Sequence, residues 1–172
     1  MKSLNRFLLV SGLTLGVSCF GASSAMAQLT DDTVTLSGNV TSTLDVDAVD
    51  TAAAATLTLQ GAGNDQIVKV ADVLLTTNNT GGIAMSTAAV GNIVSSDGGT
   101  TAIAFDLFSV DDGVAAPAAG AFTAGAYAQN FTTGFDPATG QLPVDLYIRY
   151  DSPALVDPGT YGATITLQVA DI

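Results

Sequence analysis

The fold is decided by residues 142–150, which read LPVDLYIRY. Apolar side chains alternate there with Pro, Asp, Tyr and Arg, which is the period of a β-strand with one buried and one solvated face. Residues 161–169, YGATITLQV, alternate in the same way. We predict a strand in each stretch. The side chains predicted to face the core are Leu142, Val144, Leu146, Ile148, Tyr150, Tyr161, Ala163, Ile165, Leu167 and Val169.

Shorter runs with the same period occur through the rest of the chain. They lie at residues 34–40, 44–46, 56–60, 67–75 and 101–110, separated by turn sequences rich in Gly, Asn and Asp. No stretch has a sustained helical period. Seven to nine short strands in one chain predict an all-β fold. We expect an antiparallel two-sheet sandwich of the immunoglobulin-like or jelly-roll type.

Residues 111–139 interrupt this pattern, because they are rich in Ala, Gly and Pro and have no clear period. The segment contains four aromatic residues, Phe122, Tyr127, Phe131 and Phe135. We interpret it as a long loop whose aromatic side chains cover one end of the sandwich. A ligand-binding loop at the end of a sheet is the alternative.

The first 27 residues have the features of a secretory signal peptide. Lys2 and Arg6 accompany an apolar run at residues 7–20, and the Ala-Met-Ala sequence at 25–27 offers a cleavage site with small residues at its first and third positions. No later segment approaches the roughly 20 consecutive apolar residues of a transmembrane helix. We therefore expect secretion without membrane insertion, to an extracellular, periplasmic or cell-surface location. Residues 28–172 are expected to form a single sandwich domain.

The composition after residue 27 excludes several classes of function. Two basic residues, Lys69 and Arg149, remain against 16 acidic residues, all of them Asp, which gives a formal net charge of −14. A chain this acidic is repelled by phosphate backbones, so nucleic acid is not an expected partner. The chain has no His, and its one cysteine, Cys19, lies in the signal. Catalytic triads and imidazole or thiolate zinc sites cannot form, and we expect a non-catalytic protein.

Calcium is the only cofactor for which the chain has ligands in number, because Asp carboxylates are hard oxygen donors. Asp45, Asp47 and Asp50 form an acidic cluster in the sequence. Asp65 lies in a Gly-rich stretch, residues 61–67, that looks like one copy of a calcium-binding nonapeptide repeat. These four residues are the candidate metal ligands. We favour a solvated acidic surface for the cluster and a tight turn between two strands at 61–67, with calcium binding as the alternative in each case.

The two ends of the chain resemble those of bacterial fimbrial subunits. Residues 33–40, TVTLSGNV, are similar to the opening of these subunits, where alternating apolar residues precede a Gly and a Val. Residues 158–161, PGTY, and 165–169, ITLQV, resemble the last strand shared by fimbrial subunits, spore coat protein U domains and related secreted β-sandwich proteins. Many fimbrial subunits carry a cysteine shortly after the Gly-x-Val. This chain has Leu44 and Asp45 in that region, which leaves the cysteine-free secreted relatives.

The resemblance implies a structural or adhesive protein of the bacterial cell surface or extracellular matrix. Fimbrial subunits assemble by strand addition, in which the N-terminal strand of one subunit fills an apolar groove of its neighbour. Val34, Leu36 and Val40 would be the groove-filling side chains here, and other copies or related surface subunits would be the partners. Two alternatives stay open. Residues 33–40 would form the first strand of the chain's own sandwich, or the protein would be a monomeric extracellular binding module for glycan or calcium.

Overall fold

A computed structural model of the chain describes residues 35–87 and 90–172. Within them the chain forms nine β-strands and two short 3-10 helices, Ala52–Ala55 and Ala119–Ala121. No helix in this part of the chain is long and apolar enough to cross a membrane. The strands are β1 Leu44–Asp50, β2 Gly63–Thr77, β3 Ile83–Thr87, β4 Asn92–Ser95, β5 Ala102–Asp111, β6 Ala128–Phe131, β7 Gln141–Ser152, β8 Tyr161–Gly162 and β9 Leu167–Asp171.

The strands form two antiparallel sheets. The larger sheet has six strands in the order β1-β2-β7-β5-β4-β8, and the smaller has three in the order β6-β3-β9. All of them belong to one compact unit, residues 39–172. The prediction of an all-β, antiparallel two-sheet sandwich with seven to nine strands is confirmed for the described residues.

Strand β7 is the central element of the larger sheet. It lies between β2 and β5 and pairs with both over most of its length. The five apolar side chains predicted from residues 142–150 are each at most 5% exposed, and they form the centre of the core. Burying one side chain of this kind stabilises a fold by about 1.5–3 kcal/mol. The alternation of β7 therefore accounts for much of the core.

The pairing of β2 with β7 contains a register shift between Lys69 and Ala71. Val70 is the extra residue of this bulge, and both Val70 and Ala71 are buried. A bulge bends its strand and increases the local twist. Here it lets two consecutive side chains of β2 contribute to the interior, while Lys69 stays on the opposite face beside Tyr147 of β7.

The smaller sheet covers part of this core. Ile83 and Met85 of β3 have no exposed surface, and Phe131 of β6 is buried beside them. The Tyr127 hydroxyl donates a hydrogen bond of 2.8 Å to Oγ of Ser109 on β5. Burial raises the pKa of Tyr127 to about 12, so this hydroxyl stays protonated and keeps its partner. The bond pairs two hydroxyl groups inside the core.

The single strand predicted over residues 161–169 is divided in the structure. Tyr161 and Gly162 pair with β4 in the larger sheet, whereas Leu167–Asp171 pairs with β3 in the smaller one. The chain changes sheets at residues 163–166, which belong to neither. Apolar alternation continues through the crossing because both sheets face one core. The sequence pattern therefore could not reveal the change of partner.

Other departures from the predicted elements are smaller. The long loop expected at 111–139 contains strand β6, and residues 56–60 form no strand. Tyr127 and Phe131 are core residues. Phe122 instead packs 5.8 Å from Phe108 on the opposite face of the larger sheet. The aromatic residues of this segment therefore cover two separate surfaces.

A polar network fixes the loops between β4 and β5 and between β7 and β8. The Asp157 carboxylate accepts a hydrogen bond of 2.9 Å from the backbone N–H of Thr100, and further ones from the hydroxyls of Thr100 and Thr101. The Asp97 carboxylate accepts one of 2.6 Å from the N–H of Thr160. These bonds favour the charged carboxylates and lower the pKa of Asp97 and of Asp157 below the usual range.

We predict that acid weakens the fold through these carboxylates. A carboxyl whose pKa is lower in the folded state stabilises the protein fully above its unfolded pKa, about 3.9 for Asp, and loses that contribution as pH falls through the folded pKa. Backbone N–H groups lower the pKa of Asp136 in the same way. The urea midpoint, followed by circular dichroism, should be level from about pH 7 to 5 and fall below about pH 4.

The Asp157→Asn variant should lose part of this pH dependence. Asp47→Asn is the matched control, because the Asp47 side chain makes no hydrogen bond to the described chain. An unchanged slope between about pH 4 and 2 in Asp157→Asn would contradict the assignment.

We predict that Leu75→Ala destabilises the protein by about 2–5 kcal/mol, because Leu75 has no exposed surface and its removal leaves a cavity. The matched control is Leu155→Ala, since Leu155 is 82% exposed and should change stability by no more than about 0.5 kcal/mol. Equilibrium urea unfolding at neutral pH measures both. Equal changes in the free energy of unfolding for the two variants would refute the placement of Leu75 in the core.

Candidate functional site

The predicted assembly residues lie before the first described strand. Val34 falls outside the described residues. Residues 35–43 form no strand or helix, and Leu36 and Val40 are 89% and 84% exposed. Exposed Leu and Val side chains lose the hydrophobic stabilisation that burial would supply. The segment is therefore apolar at these positions and unburied.

An open apolar groove of about 790 Å³ lies between β1 and residues 159–167. Its floor is the core face of the larger sheet, and the 3-10 helix Ala52–Ala55 contributes Ala54 and Ala55 to its lining. This volume is within the range of ligand-binding sites in proteins. The large apolar side chains that line it are Val46, Leu57, Leu59, Val70, Ile93, Phe105, Leu146, Ile148, Tyr161, Ile165 and Leu167.

The groove exists because the two sheets differ in size. Six strands face three, and the side chains of β1 on the core side are not fully covered. Val46 is half-buried and Ala48 is exposed, although both point to the same side of the sheet as the buried Leu75 and Val73 opposite them. Residues 163–166, which have left the larger sheet, form the facing wall.

Two unpaired strand edges flank the groove. β1 pairs only with β2, and β9 pairs only with β3, so each has one edge without a strand partner in the described chain. The two strands lie next to one another. Residues 163–166 continue the β9 side of the groove without joining either sheet. An unpaired edge is a template for an additional strand, because its N–H and C=O groups lack ladder partners.

The candidate calcium ligands on β1 do not converge. Asp45 and Asp47 lie on the face of β1 opposite the groove, whereas Asp50 lies on the groove side and lines it. Asp65 is elsewhere, with a positive φ of 56° that fits a tight turn. Its carboxylate lies 3.9 Å from the Arg149 guanidinium. The structure therefore separates the four residues into three locations.

The described residues contain a different group of carboxylates that could hold a cation, formed by Asp72, Asp112 and Asp145. Asp145 is buried, while the other two are exposed. Lys69 already lies there, with Nζ 2.6 Å from a carboxylate oxygen of Asp145 and 2.6 Å from one of Asp72. Hydrogen bonds to the two carboxylates raise the pKa of Lys69 above its usual value. The ammonium group therefore supplies positive charge to this cluster.

The second basic residue of the described chain, Arg149, is also paired. Its guanidinium makes an ion pair with Asp106 and donates a hydrogen bond of 2.8 Å to the carbonyl oxygen of Ala119. It also lies over the Phe122 ring, 5.7 Å from the centroid. Arg149 thereby attaches the Ala/Gly-rich segment to the outer face of the larger sheet. Both residues perform structural roles that the spacing of charges along the sequence did not reveal, because the pairs depend on strand register.

The chain matches no family model and no curated protein. The groove offers apolar side chains together with polar groups such as those of Thr51 and Thr164, and unpaired strand edges flank it. Asp50 is the only ionisable side chain among its lining residues apart from the phenol of Tyr161. This arrangement suits an extended apolar segment better than a polar ligand.

We predict that Asp145→Asn destabilises the protein by about 1–3 kcal/mol, because the buried partner of Lys69 loses its charge. Asp72→Asn is the control on the same lysine. The Asp72 side chain is 59% exposed against 4% for Asp145, so its loss should cost about 0–1 kcal/mol. Urea unfolding at pH 7 compares the two variants. A larger loss of stability in Asp72→Asn would show that the buried Lys69–Asp145 pair is not the one that stabilises the fold more.

Proposed function

We propose that the chain is an exported, non-catalytic structural or adhesive protein of the bacterial cell surface or extracellular matrix, and that its copies join by strand addition. The observation that carries this proposal is the coexistence of two unmatched features. An apolar segment with Leu36 and Val40 is exposed, and a sandwich has an open apolar groove beside unpaired strand edges. Each feature supplies what the other lacks.

The dimensions of the segment and of the groove agree. An extended chain advances about 3.3 Å per residue, so Leu36 and Val40 lie about 13 Å apart along a strand and on the same face. The β1 wall of the groove runs from Val46 to Asp50, which are also four residues apart. Residues 33–43 contain no charged side chain. The segment would therefore bring no charge of its own into the groove, where Asp50 is the charged lining residue.

The energetics indicate assembly that depends on concentration. Burial of Leu36 and Val40 would contribute about 1.5–3 kcal/mol each. Each new main-chain hydrogen bond would add about 0.5–1.5 kcal/mol. Association costs about 4–15 kcal/mol in lost freedom. The balance is small for a single contact, so oligomers should dissociate on dilution unless neighbouring contacts reinforce one another.

We predict that the exported protein forms oligomers that depend on residues 28–40. Size-exclusion chromatography with light scattering, over a range of concentrations, should show species larger than a monomer. Removal of residues 28–40 should give a folded monomer. Leu36→Asp and Ala48→Asp should do the same, because each places a charge in the apolar contact. Val49→Asp is the matched control, since Val49 is the neighbour of Ala48 on the opposite face of β1 and is 61% exposed.

A monomer at every concentration, or a truncated chain that unfolds, would overturn strand addition between copies. The second result would make residues 28–40 part of a self-contained fold. The same samples should be measured in calcium and in chelator. A melting temperature that rises with calcium while the protein stays monomeric would favour the alternative of an extracellular binding module.

A further inference from the structure

The chain just before β1 is held by a group of hydrogen bonds, which we call the root clamp. The Asn78 side chain accepts a hydrogen bond of 2.8 Å from the N–H of Thr43 and donates one of 2.7 Å to the carbonyl of Thr41. The N–H of Asn78 also donates to the carbonyl of Thr43. Ser42 donates a hydrogen bond of 2.9 Å to the carboxylate of Asp171 on β9. Residues 41–43 are thus bound on two sides.

The pattern of these bonds is that of an extended chain. Backbone groups of Thr41 and Thr43, two residues apart, face the same partner, and the side chain of Ser42 between them reaches a different one. This alternation is that of a β-strand. Residues 41–43 therefore continue the line of β1 past its first residue. The groove begins in the other direction along β1, at Val46.

Strand register shows what would be needed for the segment to fill its own groove. If the chain reversed at residues 41–43, Val40 would lie opposite Leu44, and Leu36 would lie opposite Ala48 on the groove side. If it reversed at Gly38 and Asn39, Leu36 would lie opposite Thr41, short of the groove. A hairpin on β1 brings Leu36 opposite the groove-side residues 46, 48 or 50 when its turn is centred at residue 41, 42 or 43, respectively. Those are the residues that the root clamp keeps extended.

We infer that Asn78, with the Ser42–Asp171 bond, prevents the N-terminal segment from folding into the groove of its own copy and restricts it to the groove of a second copy. This inference rests on the proposed strand addition. The contact joins two different surfaces, a segment and a groove, so it is heterologous. Copies joined in this way add at both ends, and growth does not stop at a dimer. Asn78 is a positioning residue in this arrangement.

Disulfide trapping tests the inference, because Cys19 is the only cysteine of the chain and Cys19→Ser removes it. The reporter is the full chain with Leu36→Cys and Ala48→Cys. The matched control pairs Leu36→Cys with Val49→Cys, one residue along β1 on the face away from the groove. After mild oxidation, non-reducing gels and thiol counting separate links within one copy from links between copies. Circular dichroism confirms that each variant folds.

We predict that the reporter forms a ladder of linked copies and few internal links. Asn78→Ala should raise the fraction of internal links about tenfold, the change expected when ~1.4 kcal/mol of restraint is lost. Ser42→Ala should act in the same direction, and Ser42 lies outside the described strands. Asn64→Ala, at an exposed residue at the start of β2 whose side chain has no hydrogen bond to the described chain, should leave the ladder unchanged.

Three results would count against these conclusions, and they are distinguishable. Internal links in the reporter before any change to the root clamp would refute the inference while keeping the groove as the docking site. An unchanged ladder in both Asn78→Ala and Ser42→Ala would show that the root clamp does not determine whether the segment binds its own groove or that of a second copy. Equal linking of the reporter and the Val49 control would instead refute the proposed strand addition.

Discussion

The structure depends on the pairing of β2 with β7. These are the two longest strands, and they are hydrogen-bonded to each other along most of their length. One face of the pair supplies the buried aliphatic side chains of the core. The other face holds Lys69 against Asp145, a pair that forms only because register places the two residues on adjacent strands. A shift of one residue would exchange these faces and leave the core polar.

The mismatch between the two sheets follows from this pairing. In the described part of the chain, the long pair and its neighbours build a six-stranded sheet, and only three short strands form the second sheet. The chain passes from the larger sheet to the smaller one at residues 163–166, and β9 then adds a third strand over the core. That move leaves a segment without ladder partners and an uncovered strip along β1. The groove is therefore a consequence of strand count and of one change of sheet.

The sequence predicts the elements whose patterning is strong. Residues 142–150 and 67–75 alternate clearly, and both lie in strands with buried inner faces. Strands β3, β4 and β6 have only four or five residues, and Ala, Ser and Gln weaken their apolar pattern, so they were not predicted. The groove could not be predicted, because it depends on which core-facing side chains the second sheet leaves uncovered. The Lys69–Asp145 pair depends on strand register. The root clamp depends on the Asn78 side chain, which takes the place of a backbone partner. No local sequence pattern encodes either feature.

The acidic residues of β1 have a physical role that does not require calcium. β1 is an edge strand, and an exposed edge invites pairing with any other strand. Asp45, Asp47 and Asp50 place a charge at three of its seven positions, and Asp171 places another on the edge strand β9. Charges at such positions oppose indiscriminate pairing, above all between copies that are all strongly acidic. Residues 33–43 carry no charge, so this segment meets less repulsion at those edges than an acidic strand of the same protein would.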